Sequence, residues 1–423
     1  AKKAQASWSR VPLADRVACI ARFSALLNQE ADQLALTLSQ EMGKPLQQAK
    51  GEIQGAMGRI SFFVEQSEAY LADEWVNDQE MIAWDPLGVI GNISAWNYPY
   101  LVGVNVFVPA LIAGNAVLYK PSEYTSLTGL HIERLLHQVG IPPQIFQMVT
   151  GGAQAGETLL DLPLDGYFFT GSNRTGQHIY QRVAPKMVPC QMELGGKDPL
   201  YVTADNVNIE EVAAAAAEGT FYNAGQSCCA VERVYVHESV YDPFVEAFVE
   251  ETRKLKVGDP LAEDTDMGPL VRAEQVDFLQ QQVGEALLQG GQVLVGEERW
   301  EGTGHYFIPT VVGEVTHRMR LMQEESFGPV IGIQKVRSDE EAVRLMLDTP
   351  YGLTSAVYAD HWEKAEPILR QMNSGSAYWN CCDRLRPSLP WSGRKHSGIG
   401  STLSYLGIRA FAQPKAFHLA GKR

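Results

Sequence analysis

Between residues 87 and 195, short β-branched and aromatic runs alternate with helical stretches. Val89–Ile93, Ala116–Lys120, Ile145–Val149 and Gly166–Phe169 read as strands. The run ending at Ala113, Ser126–Val139, Ala155–Leu160 and Arg174–Val183 read as helices. Such alternation demands a mostly parallel sheet covered by helices on both faces. Ligands of these sheets sit at the carboxyl ends of the strands. A second unit of the same kind is expected over residues 196–396. It holds a helix near Glu210–Thr220, a strand at Val231–Val236, and helices near Tyr241–Leu255 and Ala273–Leu288.

Ahead of the alternation, residues 11–73 carry Leu13, Val17, Ile20, Phe23 and Leu27 at helical spacing. Gly43-Lys44-Pro45 interrupts that pattern. Residues 74–86 read as extended, and the tail over 405–420 carries Ile408, Phe411, Phe417 and Leu419. The chain opens in what reads as the middle of a helix.

A length of 423 residues suits two or three domains. A net charge of −15 argues against nucleic acid, which needs a basic face. No apolar run approaches the ~18 residues of a membrane span. The six cysteines form no CxxC, which fits neither a disulfide scaffold nor a zinc site. A reducing, cytoplasmic location is expected, and no metal.

Three groups carry the chemistry. Cys228 follows a Gly225-Gln226 turn at the junction of a helix and a strand, a placement that suits a rigidly held nucleophile. Free cysteines are more often buried packing residues. Here Glu193 stands before Gly195-Gly196, and Asn97 follows a strand, so thiol, carboxylate and amide make a nucleophile, a base and an oxyanion donor. Lys120 and Glu123 follow the strand at 116–120, and both can reach a ribose. A diol can donate to Glu123 whereas a 2′-phosphate would be repelled, so NAD is expected and NADP is disfavoured. Gly171-Ser172 and Gly176 open a helix whose N-terminus can meet a pyrophosphate.

Six motifs occur together. They are Trp96-Asn97-Tyr98-Pro99, Lys120-Pro121-Ser122-Glu123, Phe169-Thr170-Gly171-Ser172, Glu193-Leu194-Gly195-Gly196-Lys197, Gly225-Gln226-Ser227-Cys228 and Glu324-Glu325-Ser326-Phe327-Gly328-Pro329-Val330. In order and spacing they resemble the aldehyde dehydrogenase superfamily over essentially the whole chain. The resemblance implies an α/β fold in three parts. Residues 1–67 and 87–195 would form a Rossmann-like dinucleotide-binding domain, and 196–396 a second α/β catalytic domain. Residues 68–86 and 405–420 would form a small β oligomerisation arm of a homodimer or homotetramer.

The resemblance implies oxidation of a small-molecule aldehyde to a carboxylic acid through a cysteine thiohemiacetal and thioester. Cys228 would attack, Asn97 and the Cys228 N–H would hold the oxyanion, and Glu193 would activate water. NAD would be bound by Trp96, Lys120, Ser122, Glu123, Gly152, Gly156, Gly171, Ser172, Gly176, Leu194, Glu325 and Phe327. Some members relay the proton of the base through a lysine and a glutamate, and Val106 and Thr402 stand there in this chain. Tyr98, Leu101, Tyr222, Ser227, Cys229, Asp383 and Trp391 are expected to line the substrate pocket. Tyr222 stands where succinate-semialdehyde dehydrogenases often carry an arginine. Arg384 and Arg386 offer another source of positive charge, and Asp383 one of negative charge for an aminoaldehyde. A semialdehyde or aminoaldehyde dehydrogenase is therefore an alternative, and a nucleotide-binding structural protein without turnover a second.

Overall fold

The computed structural model describes residues 1–421 except 207, 297, 299 and 301. Three helices, Leu13–Gln29, Ala31–Met42 and Leu46–Leu71, form the first layer. Ile20, Phe23 and Leu27 share one fully buried face of the first, as their spacing requires. Gly43 ends the second with a left-handed φ of 75°, where a Cβ would lie 2.6 Å from Pro269 Cγ. The third helix continues to Leu71, so residues 68–71 of the expected arm are helical.

The helix Pro99–Ala113 is apolar on every side and nearly every residue in it is buried. A helix of this kind belongs at the centre of a core. It packs between the first helical layer and a sheet of six strands among the described residues. That sheet runs in the order 398–399, 190–194, 166–171, 89–93, 116–120 and 146–148. All of its pairings are parallel except that of Gly398–Ile399 with Cys190–Leu194. Residues 387–400 read as loop in sequence because a two-residue strand leaves no periodic signal.

A second sheet has seven strands among the described residues. Its order is 292–295, 310–313, 330–336, 233–237, 199–202, 354–358 and 376–379. Its strands are parallel except for the first pair. A third sheet joins Glu74–Asn77, Glu80–Pro86 and Ala412–His418. Residues 404–409 are helical, so the final strand starts at Ala412 and pairs with Pro86 through Glu80. No described helix is long and apolar enough to cross a membrane.

Candidate active site

The carboxyl ends of the central strands open on one cavity of about 880 Å³. Asn97 enters it from the loop after Val89–Ile93, and Glu193 from the strand Cys190–Leu194. Cys228 enters from the turn between the helix Ile209–Phe221 and the strand Arg233–His237.

The cysteine turn is held by its own amides. Asn223, Ala224 and Gly225 are all left-handed, with φ of 55°, 56° and 68°. A Cβ on Gly225 would stand 2.4 Å from the Gly328 carbonyl oxygen, so only glycine fits. Asn223 Nδ2 donates to the Gln226 carbonyl at 3.1 Å, and Gln226 Nε2 returns a bond to the Asn223 carbonyl at 3.1 Å. Backbone in sparsely populated regions persists only where its surroundings over-determine it.

Asn97 is locked to this turn. Its Nδ2 donates to the Gln226 carbonyl at 3.2 Å. Its own carbonyl accepts from Asn223 Nδ2 at 3.3 Å and from Lys44 Nζ at 2.8 Å. Lys44 is fully buried and pairs with Glu52, whose other oxygen accepts the Tyr100 N–H at 2.8 Å. The Lys44 ammonium also lies 3.8 Å from the centre of the Tyr98 ring.

Glu193 is buried, and burial pushes its carboxyl up to about 8 against the opposing pull of Thr402, Gln191 and Arg59. Thr402 Oγ1 donates to its Oε1 at 3.3 Å, whereas Oε2 is buried with no partner among the described residues. Thr402 is itself fixed by reciprocal main-chain bonds to Trp391, 2.8 Å each. Val106 also lines the cavity, so neither position of the relay seen in some relatives offers an ionisable group here.

All seven residues expected in the pocket line this cavity. Cys229 Sγ donates to Asp383 Oδ1 at 2.8 Å, and burial pushes the Asp383 carboxyl up to about 7. Arg384 lines the cavity as well, while Arg386 is not among its lining residues.

The residues expected around a dinucleotide divide into two groups. Trp96, Gly171, Ser172, Leu194, Glu325 and Phe327 share the cavity with Cys228. The Trp96 and Phe327 rings meet edge to face, 5.6 Å between centres. Ser172 caps the helix Asn173–Val183 by accepting the Thr175 N–H at 3.4 Å. Lys120, Ser122, Glu123, Gly152 and Gly156 gather on the neighbouring strand ends, outside the lining of that cavity. Lys120 Nζ lies 3.6 Å from the half-exposed Glu123 carboxylate. A Cβ on Gly152 would stand 3.7 Å from Glu123 Oε1, and one on Gly156 4.0 Å from the Lys120 stem. Ser122 caps the turn that begins at Glu123. Gly176 is a packing residue, since a Cβ there would meet Leu194 Cδ2 at 2.5 Å.

Two buried ion pairs were not foreseen from sequence. Besides Lys44 and Glu52, Lys197 pairs with Glu232 at 2.6 Å. Glu232 accepts the N–H groups of Ser326 and Phe327, both at 2.9 Å, and so sets the loop that carries Glu325. Burial pushes the Glu325 carboxyl up to about 8, and its Oε1 accepts the Gly196 N–H at 3.2 Å. A Cβ on Gly195 would fall 1.8 Å from that oxygen, so the loop closes only over glycine. The sequence signals were faint: Lys44 sat in a helix break and Lys197 at the end of a motif.

Comparison with known proteins identifies the family. Residues 1–417 match the model of the aldehyde dehydrogenase family. Betaine aldehyde dehydrogenase 1 of Oryza sativa subsp. japonica is 33% identical over 419 residues, covering 96% of this chain and 83% of the rice protein. Aminoaldehyde dehydrogenase 2 of Zea mays is 33% identical over 412 residues, covering 95% and 81%. The crystal structure of an NAD-dependent aldehyde dehydrogenase from Sinorhizobium meliloti superposes with a TM-score of 0.94 at 33% identity, covering 98% of this chain and 84% of that one. The chain is a member of the aldehyde dehydrogenase family.

Proposed function

We propose that this enzyme oxidises an aldehyde to a carboxylic acid with NAD, using Cys228 as nucleophile, Asn97 as oxyanion donor and Glu193 as base. The observation that carries the reading is the Asn97 amide bonded to the Gln226 carbonyl, two residues from Cys228, in one cavity with Glu193. An amide carries two N–H groups, and the Gln226 carbonyl occupies one. The other is available to the oxyanion that forms when Cys228 Sγ adds to the aldehyde carbon. The Cys228 main-chain N–H is the second donor.

The residues present fit NAD. Gly152 and Gly156 leave backbone open beside Lys120 and Glu123, and the half-exposed Glu123 can accept from a ribose diol. The similarity to the NAD-dependent Sinorhizobium meliloti enzyme supports the same choice. NAD, when bound, accepts the hydride that converts the thiohemiacetal to a thioester. Trp96 and Phe327 would pack beside the nicotinamide and Glu325 would accept from its ribose. Glu193, once deprotonated, takes a proton from water as it attacks the thioester. Cys228 then leaves as the thiolate, ready to add again, and Glu193 releases its proton to solvent.

The three-stranded sheet is read as an oligomerisation arm. Its outer strand Glu74–Asn77 is exposed throughout, with Val76 64% exposed, and it has no core of its own. A sheet of this kind is completed by a second copy, giving a dimer or tetramer. Residues 1–67 with 87–195, and 196–396, would be the two domains the arm serves. Six free cysteines support a reducing compartment such as the cytoplasm.

The test is NADH formation with butanal and benzaldehyde, with Cys228→Ala beside the parent enzyme. Turnover that disappears in Cys228→Ala supports the reading. NAD binding without turnover of any aldehyde would favour a structural nucleotide-binding protein.

A further inference from the structure

The helix Leu46–Leu71 turns an unusual face toward the cavity. Gly51, Gly55 and Gly58 all line it, all are exposed, and Arg59 follows. Each glycine inside a helix costs about 0.5–1 kcal/mol against alanine. A Cβ on Gly58 would meet nothing within 4 Å and one on Gly51 only the Tyr222 hydroxyl at 3.9 Å, whereas one on Gly55 would press on Leu101 at 3.1 Å.

Arg59 lines the same cavity. Its Nη1 donates to the Leu101 carbonyl and to Asn105 Oδ1, both at 3.0 Å, so the neighbouring helix Pro99–Ala113 fixes its direction. Nη2 and Nε are not used in those bonds. Arg59 has no ion-pair partner among the described residues. Of the acids near it, Glu52 is committed to Lys44 and to the Tyr100 N–H. Burial keeps Glu193 largely protonated near neutral pH. Arg59 itself is lowered by burial only to about 10 and stays cationic. An uncompensated guanidinium with a free edge, facing open space, is a ready partner for a planar anion.

We propose that Arg59 recognises the far end of the substrate, and that the preferred aldehyde carries a carboxylate there. This rests on the activity proposed above and names its substrate class. The unused N–H groups of Arg59 would bind the carboxylate while the aldehyde carbon lies at Cys228. Asn105 is the positioning residue that aims the guanidinium. The rival is Asp383 on the other side of Cys229, which with Glu218 would suit a cationic tail.

Steady-state rates with succinate semialdehyde, butanal and betaine aldehyde decide between them. The parent enzyme is expected to have its highest kcat/KM on succinate semialdehyde. In Arg59→Gln the ratio of kcat/KM for succinate semialdehyde over butanal should fall roughly 10- to 100-fold, carried by KM. Arg59→Lys keeps the charge without the fork and should restore part of the ratio. Succinate added as an inhibitor should bind the parent enzyme and lose that affinity in Arg59→Gln. A parent enzyme that prefers butanal or betaine aldehyde overturns the proposal. So does an equal loss on succinate semialdehyde and butanal with a moved pH profile, which would make Arg59 part of the chemistry at Cys228. Butanal turnover, abolished by Cys228→Ala, reports the activity itself, so lost selectivity and lost activity are separately visible.

Discussion

The buried ammonium of Lys44 donates to the main-chain carbonyl of Asn97 at 2.8 Å, tying a helix break in the first layer to the loop that carries the proposed oxyanion donor. Lys44 is fully buried together with Glu52. Removing one partner leaves an uncompensated charge in the interior, a cost of about 3–5 kcal/mol. Lys44→Met should therefore lower the melting temperature by several degrees and reduce kcat in the protein that remains folded. A melting curve that superposes on that of the parent would refute the assignment.

Asn97→Ala removes one of the two proposed oxyanion donors. By analogy with other preorganised donors, kcat should fall about 10²- to 10³-fold. Asn97 also bonds the Gln226 carbonyl, so circular dichroism should accompany the kinetics. A fall of less than about threefold would remove Asn97 from the mechanism.

Glu193 must lose its proton to act as base, and its carboxyl lies near 8. Below that pH the deprotonated fraction falls tenfold per unit, so thioester hydrolysis should rise with pH and level off above about 8. Thr402 donates to the carboxylate and favours the charged form. Thr402→Val should move the profile to higher pH without changing its shape. Glu193→Gln should form the thioester with a burst of NADH and then stall. Rapid-mixing measurements of the burst and steady phases read both effects.

Gly225→Ala places a Cβ 2.4 Å from the Gly328 oxygen at a φ of 68°. The turn must shift, and Cys228 with it. A loss of more than about 1 kcal/mol is expected, because strained left-handed backbone and a backbone clash add. Reactivity of Cys228 toward iodoacetamide should fall in parallel. Full stability and full alkylation rate together would show that the turn is plastic.

Glu123→Ala removes the carboxylate set against a 2′-phosphate. The ratio of kcat/KM for NAD over NADP should drop about tenfold or more, through a weaker hold on NAD and relief of repulsion toward NADP. An unchanged ratio would put cofactor choice elsewhere.

Much of the frame could be read before any coordinates. Strands at 89–93 and 116–120 declare themselves by apolar runs, and the helix at 273–288 by its run ahead of Gly290-Gly291. Cys228, Glu193 and Asn97 were visible because each stands at a strand or helix end beside small residues. The roles of Lys44 and Arg59, and the bond from Thr402 to Glu193, were not. Each residue is tied to the site by contacts separated by tens to hundreds of residues, and a single sequence gives such pairs no periodic trace. Arg59 also sits on a helix with exposed polar neighbours such as Gln54, Glu65 and Glu68, so spacing alone does not mark it out. The strand Gly398–Ile399 was hidden because two residues cannot establish an alternation.

That last strand has a consequence for how the protein comes into being. Gly398 pairs with Glu193, and Thr402 holds the same carboxyl, so the final edge of the first sheet is supplied by residues made some two hundred positions later. During synthesis the thiol, the amide and the carboxyl are all present long before the wall that encloses them. Native pairing at this sequence distance is slow and follows local structure. Enclosure of the cavity thus waits on residues 398–402 docking against a strand made long before them.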